Sequence, residues 1–370
     1  MKKYPVAKSY LGKAEIAIVT KVIKSGSLSR RLYGPLFEKK FAKKIGIKYA
    51  CAVSSGTAGL HLVMLAAGIK AGDEVITSTF SYIASANSIV YVGARPVFVD
   101  IDPLTYNLDP QEIEKKITKR TKAILVVHIF GQSADMAPII KIAAKHHLKI
   151  IEDACESIMA TCQGKKVGTF GEAGVFAFYP NKQMTTGEGG MIVTNNKKIY
   201  KLCVSLRGQG LVGGAKPFDY RYLGYNYRLN EMSAAMGVVQ LNKLNFAIKE
   251  RQKIANWYNK YLRSYQDLIQ PPRVMMGNRH SWFVYTVTIK SKKNNRTKII
   301  EVLSKKGIGT KPYFSPIHQF KFYRDRFGYR PGDFPVSEEA GCSSLALPLY
   351  IGLKEKDIEH IVKNLVSVIR

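Results

Sequence analysis

The sequence predicts an α/β protein: a large domain with a mostly parallel sheet sandwiched by helices, then a smaller carboxyl-terminal α/β domain. Three observations predict it. The chain has 370 residues, 46% of them hydrophobic, enough to bury a substantial core. From about residue 48 to residue 206, short apolar runs of strand length alternate with helix-like segments, the order that builds a parallel sheet with helices on both faces. Beyond about residue 240 the texture changes: 231–262 reads as one or two long helices, and 280–290 (HSWFVYTVTIK) as a strand opening a second unit. The expected division is 10–245 for the large domain and 246–370 for the small one, with the arm 1–9 packing near the latter.

Each element of the large domain brings a candidate residue with it. Residues 48–53 (KYACAV) read as a strand, and 60–67 (LHLVMLAA) as an apolar helical stretch. Between them lies Ser54-Ser55-Gly56-Thr57-Ala58-Gly59-Leu60, a strand, a small-residue turn and a helix amino terminus. That sequence of parts is an anion site, because free N–H groups and the helix dipole point at a bound phosphate; the competing reading is ordinary helix capping by Ser or Thr. After the strand-like 74–78 (EVITS) comes Tyr82, whose ring could cover a flat cofactor or could be a core tyrosine. Residues 149–154 (KIIEDA) are an apolar run ending in Glu152 and Asp153. Open α/β sheets bind ligands at that end of their strands. An aspartate there, beneath a pyridine ring, would keep the ring nitrogen protonated; it could equally cap a helix.

The most informative stretch is Phe178 to Gly190 (FYPNKQMTTGEGG). Strand-like 174–179 (GVFAFY) and 189–194 (GGMIVT) bracket it, so Lys182 sits on a short connection held at both ends. A lysine held that way can serve as a nucleophilic amine; a solvated loop lysine is the alternative.

Phosphate turn, aromatic, acid and lysine in that order resemble the sugar aminotransferases of the DegT/DnrJ/EryC1/StrS group, which have the fold-type I architecture of pyridoxal-phosphate transferases. The resemblance extends nearly end to end, through Gly93-Ala94-Arg95-Pro96-Val97-Phe98-Val99-Asp100, Val127-His128-Ile129-Phe130-Gly131-Gln132, Glu152-Asp153-Ala154, the Lys182 segment, Gly224-Tyr225-Asn226-Tyr227-Arg228, Pro316-Ile317-His318 and Leu347-Pro348-Leu349-Tyr350. It implies pyridoxal 5'-phosphate as cofactor, with Lys182 as the internal aldimine lysine and proton shuttle, and Asp153 as the partner of the pyridinium nitrogen. It places Tyr82 on the ring, Gly56 and Thr57 at the phosphate, and Glu156 near the ring hydroxyl. Asn226 matches an asparagine that reaches the phosphate region from a partner subunit, which implies an obligate homodimer with composite active sites. His318 and Arg228 resemble positions near the substrate end of the pocket, and 24–36 (KSGSLSRRLYGPL) a segment bordering the sugar.

The implied reaction is ping-pong transfer of an amino group from L-glutamate to the keto carbon of a nucleotide-linked keto-deoxysugar, with a GDP- or UDP-linked 4-keto-6-deoxyhexose as the first expectation. Dehydratases related to the family carry histidine at the lysine position, so Lys182 stands against dehydration; a non-nucleotide ketone is the other alternative. Two residues depart from the pattern. Glu156 stands where the family often has glutamine, which changes the local charge. Ala177 replaces a phosphate-binding serine, so one phosphate hydrogen bond must come from water or from Ser55, and cofactor affinity is the property affected.

Other function classes find less support. The net charge of +30 would attract polyanions, yet the basic residues are scattered, in groups no denser than Lys39-Lys40 with Lys43-Lys44, Lys115-Lys116, Lys292-Lys293 and Lys305-Lys306. No DNA-reading module is present, and specific nucleic-acid binding is not expected. Five scattered cysteines form no CxxC pair, so neither a metal site nor a disulfide framework is expected. Met1-Lys2-Lys3-Tyr4-Pro5 lacks a signal peptide's apolar core and no stretch approaches membrane-spanning length, so the expected location is cytoplasmic, with no membrane partner. Gly208-Gln209-Gly210-Leu211-Val212-Gly213 fits a dinucleotide-binding pattern, but the helix-like 197–206 precedes it and Lys216-Pro217 follows, so it reads as a loop.

Overall fold

The computed structural model describes residues 2–29, 31–213, 218–290 and 296–370. In chain order its strands are β1 (Tyr49–Val53), β2 (Glu74–Ser78), β3 (Arg95–Val99), β4 (Thr121–Val127), β5 (Lys149–Asp153), β6 (Thr161–Cys162), β7 (Lys165–Lys166), β8 (Ala173–Ala177), β9 (Gly190–Thr194), β10 (Ile269–Gln270), β11 (Tyr285–Ile289) and β12 (Ser344–Leu347). Seven of them form the central sheet in the order β1-β9-β8-β5-β4-β2-β3. Only β9 runs against the rest, pairing antiparallel with both β1 and β8. The sheet is thus mostly parallel, and its strands are buried on both faces, as the continuous burial of β2 and β9 shows.

Helices cover the two faces. On one, α3 (Gly56–Ala66) packs so closely on β8 that a Cβ at Gly59 would lie 2.7 Å from the Val175 side chain. On the other, Phe37 and Phe41 of α2 (Tyr33–Ile45) meet Phe176 and Phe178 with ring centroids 5.3 to 5.6 Å apart. The helix Glu231–Leu262 is continuous. Its first half packs into that aromatic core through Leu241, Leu244 and Ile248. Its last turns, with Tyr258 and Leu262, join a second core built on the antiparallel sheet β10-β11-β12 and the carboxyl-terminal helix Glu355–Ile369. The amino-terminal arm lies against this second core: Tyr4 N–H donates to the Gly307 carbonyl at 2.8 Å, and Gly309 N–H to Tyr4 at 2.8 Å.

One expectation needs correction. The strand expected over 280–290 begins only at Tyr285. Residues 280–284 form a turn in which Trp282 takes φ +52°, and their apolar character comes from burial in that turn. The helix amino terminus expected within Ser54–Leu60 lies at Gly56, where the Ser55 side chain accepts the Ala58 N–H at 3.0 Å and caps the helix. In the glycine-rich segment, Gly208 pairs with Asn226 and Leu211 with Tyr220, so no helix opens at that point. Lys216-Pro217, Lys292-Lys293, Met1 and Arg30 lie outside the described residues. Among the described residues no helix is long and apolar enough to cross a membrane, and no group of three or more His, Cys, Asp or Glu could hold a metal ion.

Candidate active site

The carboxyl ends of β1, β2, β5 and β8 converge at one edge of the sheet. At the end of β1 the half-buried Ser55 caps α3 with its oxygen, leaving its own O–H proton available to an anion. The first N–H groups of α3, at Gly56 and Thr57, have no acceptor within the helix. The lysine segment presses against this tip. A Cβ on Gly190 would sit 2.5 Å from the Ser55 carbonyl oxygen and 2.8 Å from the Gly56 nitrogen, while one on Gly56 would meet Cys155 Sγ at 2.7 Å and Ala177 Cβ at 2.9 Å. The two glycines therefore make a cradle of bare backbone, with Ala177 forming an apolar wall.

The two acids at the end of β5 point to opposite faces of the sheet, as strand alternation requires. Glu152, fully buried, accepts N–H groups from Gly168 and Phe170 at 2.6 Å and from Gly171 at 2.8 Å. His128 Nδ1 accepts the Ala134 N–H, so its Nε2–H donates to Glu152 at 3.0 Å. Glu152 is thus committed to holding the 168–171 turn. Asp153 points into the cleft, accepting the Ser85 hydroxyl at 2.7 Å and the Cys155 N–H at 3.1 Å. Ser85, in the first turn of α4 (Ala84–Tyr91), thereby fixes the carboxylate.

Lys182 follows β8. Its Nζ lies 3.4 Å from Glu156 Oε1 and 3.9 Å from the centroid of the Phe283 ring. Glu156 Oε2 accepts the Phe130 N–H at 2.9 Å. Burial pushes the Glu156 carboxyl above the usual range, and the Lys182 ammonium opposes that shift. Burial, followed by the Asp153 charge, pushes the Cys155 thiol well up, so it is not a nucleophile here. Neighbours brace the lysine loop: Asn181 donates to Tyr313 Oη at 3.1 Å, and Gln183 to the Glu156 carbonyl at 2.7 Å and Ser281 Oγ at 2.9 Å.

Tyr82 stands beside this cleft with 62% of its surface exposed, so it is not a core residue. Asn226 is exposed on a segment that runs past the end of β1, where Tyr227 accepts the Ser54 N–H and Arg228 pairs with Val53. Arg228 lines a recess of about 140 Å³ with Arg207, Glu38 and Leu229. His318 is not brought to the cleft. It is fully buried, with Nδ1 2.8 Å from Thr79 Oγ1 and Nε2 2.9 Å from Glu338, so both nitrogens are occupied and no face remains for a substrate. It braces the start of the Tyr82 segment from behind. In the 24–36 segment, the N–H groups of Arg31, Leu32, Tyr33 and Gly34 all donate to the Glu231 carboxylate. Burial works against that charge, but the four donors outweigh it and hold the carboxyl below the usual range.

Sequence reasoning missed Ser85, Phe283, Tyr313 and Glu231. Ser85 carried a readable signal, three residues after Tyr82 at a helix start. The aromatics carried none, being indistinguishable from core residues.

The DegT/DnrJ/EryC1/StrS aminotransferase family model matches residues 9–366. A GDP-perosamine synthase of Caulobacter vibrioides is 40% identical over 334 residues, covering 90% of this chain and 89% of that protein. Helicobacter pylori PseC, an aminotransferase of pseudoaminic acid biosynthesis, superposes with a TM-score of 0.94 at 28% identity, covering 100% of this chain and 99% of PseC. An E. coli GDP-4-keto-6-deoxy-D-mannose-3-dehydratase with bound hydrated pyridoxal phosphate superposes at 0.90, with 28% identity and 100% coverage of both chains.

Proposed function

The chain belongs to the DegT/DnrJ/EryC1/StrS aminotransferase family, and from that premise we propose that it moves the amino group of L-glutamate to the keto carbon of a GDP-linked 4-keto-6-deoxyhexose. It is a nucleotide-sugar aminotransferase that depends on pyridoxal phosphate. The residues present fit that group, since the Gly56–Gly190 cradle that any Cβ would fill lies at a helix amino terminus, and a carboxylate and an amine stand at the ends of neighbouring strands. When bound, the cofactor supplies the aldehyde that takes up the amino group and the ring that acts as electron sink.

In this reading Lys182 holds the cofactor and, once released, moves the proton at the substrate carbon. Asp153, oriented by the Ser85 hydroxyl, pairs with the ring nitrogen. Gly56 and Thr57 offer N–H groups and a hydroxyl to the phosphate, and Ser55 O–H replaces the donor lost at Ala177. Tyr82 covers the ring, and Glu156 faces the ring hydroxyl. The observation that carries the reading is the placement of Asp153 and Lys182: Asp153 pairs in register with Val175, and the strand of Val175 leads directly to Lys182. Lys182 also favours transamination over the dehydration named for the E. coli neighbour.

Asn226 would complete the phosphate site of a second copy in a homodimer. Its exposure supports this, as do Phe218, Tyr220, Tyr222 and Leu223, which leave a large apolar patch on the same segment. The test is a purified-enzyme assay with cofactor, L-glutamate and GDP-4-keto-6-deoxymannose. Equal yields of 2-oxoglutarate and amino sugar are expected. Loss of the sugar substrate without 2-oxoglutarate would overturn the donor and the reaction class, and borohydride fixation of the cofactor anywhere but Lys182 would overturn the site.

A further inference from the structure

We infer that Phe283 is a positioning residue for Lys182, its ring face forming one side of a clamp on the free amine whose other side is Glu156. The inference rests on the site reading above and extends it to a residue outside the motifs. The amine lies 3.9 Å from the Phe283 centroid, well within the reach of a cation over an aromatic face, and 3.4 Å from the carboxylate. Phe283 is 1% exposed, so little water competes for the ammonium on that side.

The turn that presents this ring is built at a cost. Trp282 holds a left-handed backbone, φ +52°, which a bulky residue adopts only when its surroundings impose it. His280 Nδ1 accepts the Trp282 N–H at 2.9 Å and stacks on its ring at 3.9 Å. Burial pushes His280 down to about 3, which keeps that nitrogen an acceptor. Arg251, buried, donates to the carbonyls of Trp282 at 3.0 Å and Phe283 at 3.2 Å. A buried guanidinium is costly unless its surroundings compensate, and here it holds the peptide that aims the ring.

Both halves of the clamp are tied to one residue. Phe130 N–H donates to Glu156 at 2.9 Å, and the Phe130 carbonyl accepts the Phe283 N–H at 3.2 Å. Gly131 next to it has φ +106°, and any Cβ there would strike the nitrogens of Trp282 and Phe283 at 2.8 and 2.7 Å. Carboxylate and ring therefore keep a fixed separation, and the amine sits between them. The other titratable groups around the clamp, among the described residues, are Asp153 at the end of β5 and Cys155 beyond it, Tyr313, which faces Glu156, His280, stacked on Trp282, and Arg251 behind the ring.

An aromatic face favours the ammonium over the neutral amine, so removing it exposes a more nucleophilic Lys182. The test uses full-length protein freed of cofactor and a trace of acetic anhydride at fixed neutral pH, with acetylation at Lys182 followed by mass spectrometry against exposed lysines such as Lys197 in the same sample. Phe283→Leu should speed acetylation of Lys182 about tenfold, equivalent to about 1.4 kcal/mol, and Phe283→Tyr should restore the wild-type rate. Pentafluorophenylalanine at position 283 keeps the shape, removes the negative face, and should match Phe283→Leu; it also keeps the test open if the leucine variant fails to fold. Equal rates in wild-type and fluorinated protein would overturn the clamp. Borohydride fixation of the cofactor on Lys182, run in parallel, separates the two claims: fixation with unchanged rates removes only the clamp, whereas no fixation removes the site.

Discussion

Replacing Gly190 by alanine tests whether the contact between the lysine segment and the tip of α3 builds the cofactor's phosphate site. The new Cβ would start 2.5 Å from the Ser55 carbonyl oxygen, 2.6 Å from its carbon and 2.8 Å from the Gly56 nitrogen. Contacts under 3.0 Å essentially never occur for a real Cβ, so the two segments must part by at least about 0.5 Å, and every atom struck is backbone. Gly190 cannot give way alone, because it pairs with Val53 on one side and Ala177 on the other. The displacement falls on the first N–H groups of α3. Misplacement approaching 1 Å costs on the order of a hundredfold where several groups must converge, so the expected loss of pyridoxal phosphate affinity is about ten- to a hundredfold. Titration of the cofactor-free protein followed by visible absorption measures it, with circular dichroism as the check on folding. Gly12→Ser is the control, since Gly12 has extended backbone with open space around its Cβ and should leave affinity unchanged. A Gly190→Ala protein that folds and binds cofactor as tightly as wild type would refute this account of the site.

Lys182→Ala should abolish transamination while leaving the folded protein able to bind cofactor non-covalently; turnover near the wild-type rate would sink the assignment of the lysine. His318→Leu removes the imidazole's two buried hydrogen bonds, to Thr79 and Glu338, and should cost about 1–3 kcal/mol in urea unfolding, while KM for the sugar changes by less than about twofold; a large rise in KM with unchanged stability would restore His318 to the substrate pocket. Glu231→Gln replaces a carboxylate that takes four N–H donors with one amide oxygen and should cost about 2–4 kcal/mol. Because the folded Glu231 carboxyl is held below its unfolded value, its contribution is present above about pH 4.3 and fades as pH falls through the folded value. The wild-type protein should therefore lose part of its advantage over the variant on acidification, and a stability difference independent of pH would contradict that.

Legibility in the sequence followed the range over which each feature is determined. The run 74–78 and the helix 197–206 are the observed β2 and the observed helix to the residue, because a β-branched run and amphipathic periodicity are local properties. The resemblance singled out Asp153, but the residues alone did not say what Glu152 does beside it. What separates them is the 168–171 turn, which the chain brings to Glu152 from beyond β6 and β7. Glu231 was silent for the same reason, since its donors lie near residue 32. Histidine in Pro316-Ile317-His318 looked functional, and only burial with two occupied nitrogens shows it bracing the chain. Phe283 was hidden by its setting, one apolar residue among several in a run that read as strand.

The position of Lys182 is set by more than its own loop. Ser9 of the amino-terminal arm donates to the Pro180 carbonyl at 2.7 Å, two residues before the lysine. The same arm is fastened to the smaller core by Tyr4, through Gly307 and Gly309, and by Val6, whose carbonyl accepts the Leu349 N–H at 3.0 Å. Tyr313, packed edge-on against Phe130 and Phe283, also accepts from Asn181, one residue before the lysine. The large sheet supplies the other anchors, with Phe178 N–H donating to the Gly189 carbonyl and Thr185 Oγ1 to Phe178. A nucleophile tied to both cores in this way cannot shift without disturbing contacts in each. Arm truncation should therefore reach Lys182 through Pro180: removing residues 1–9 should markedly slow cofactor fixation on Lys182 while lowering stability in urea only slightly. Fixation at the full rate in the truncated protein would show that the loop is positioned by the large sheet alone.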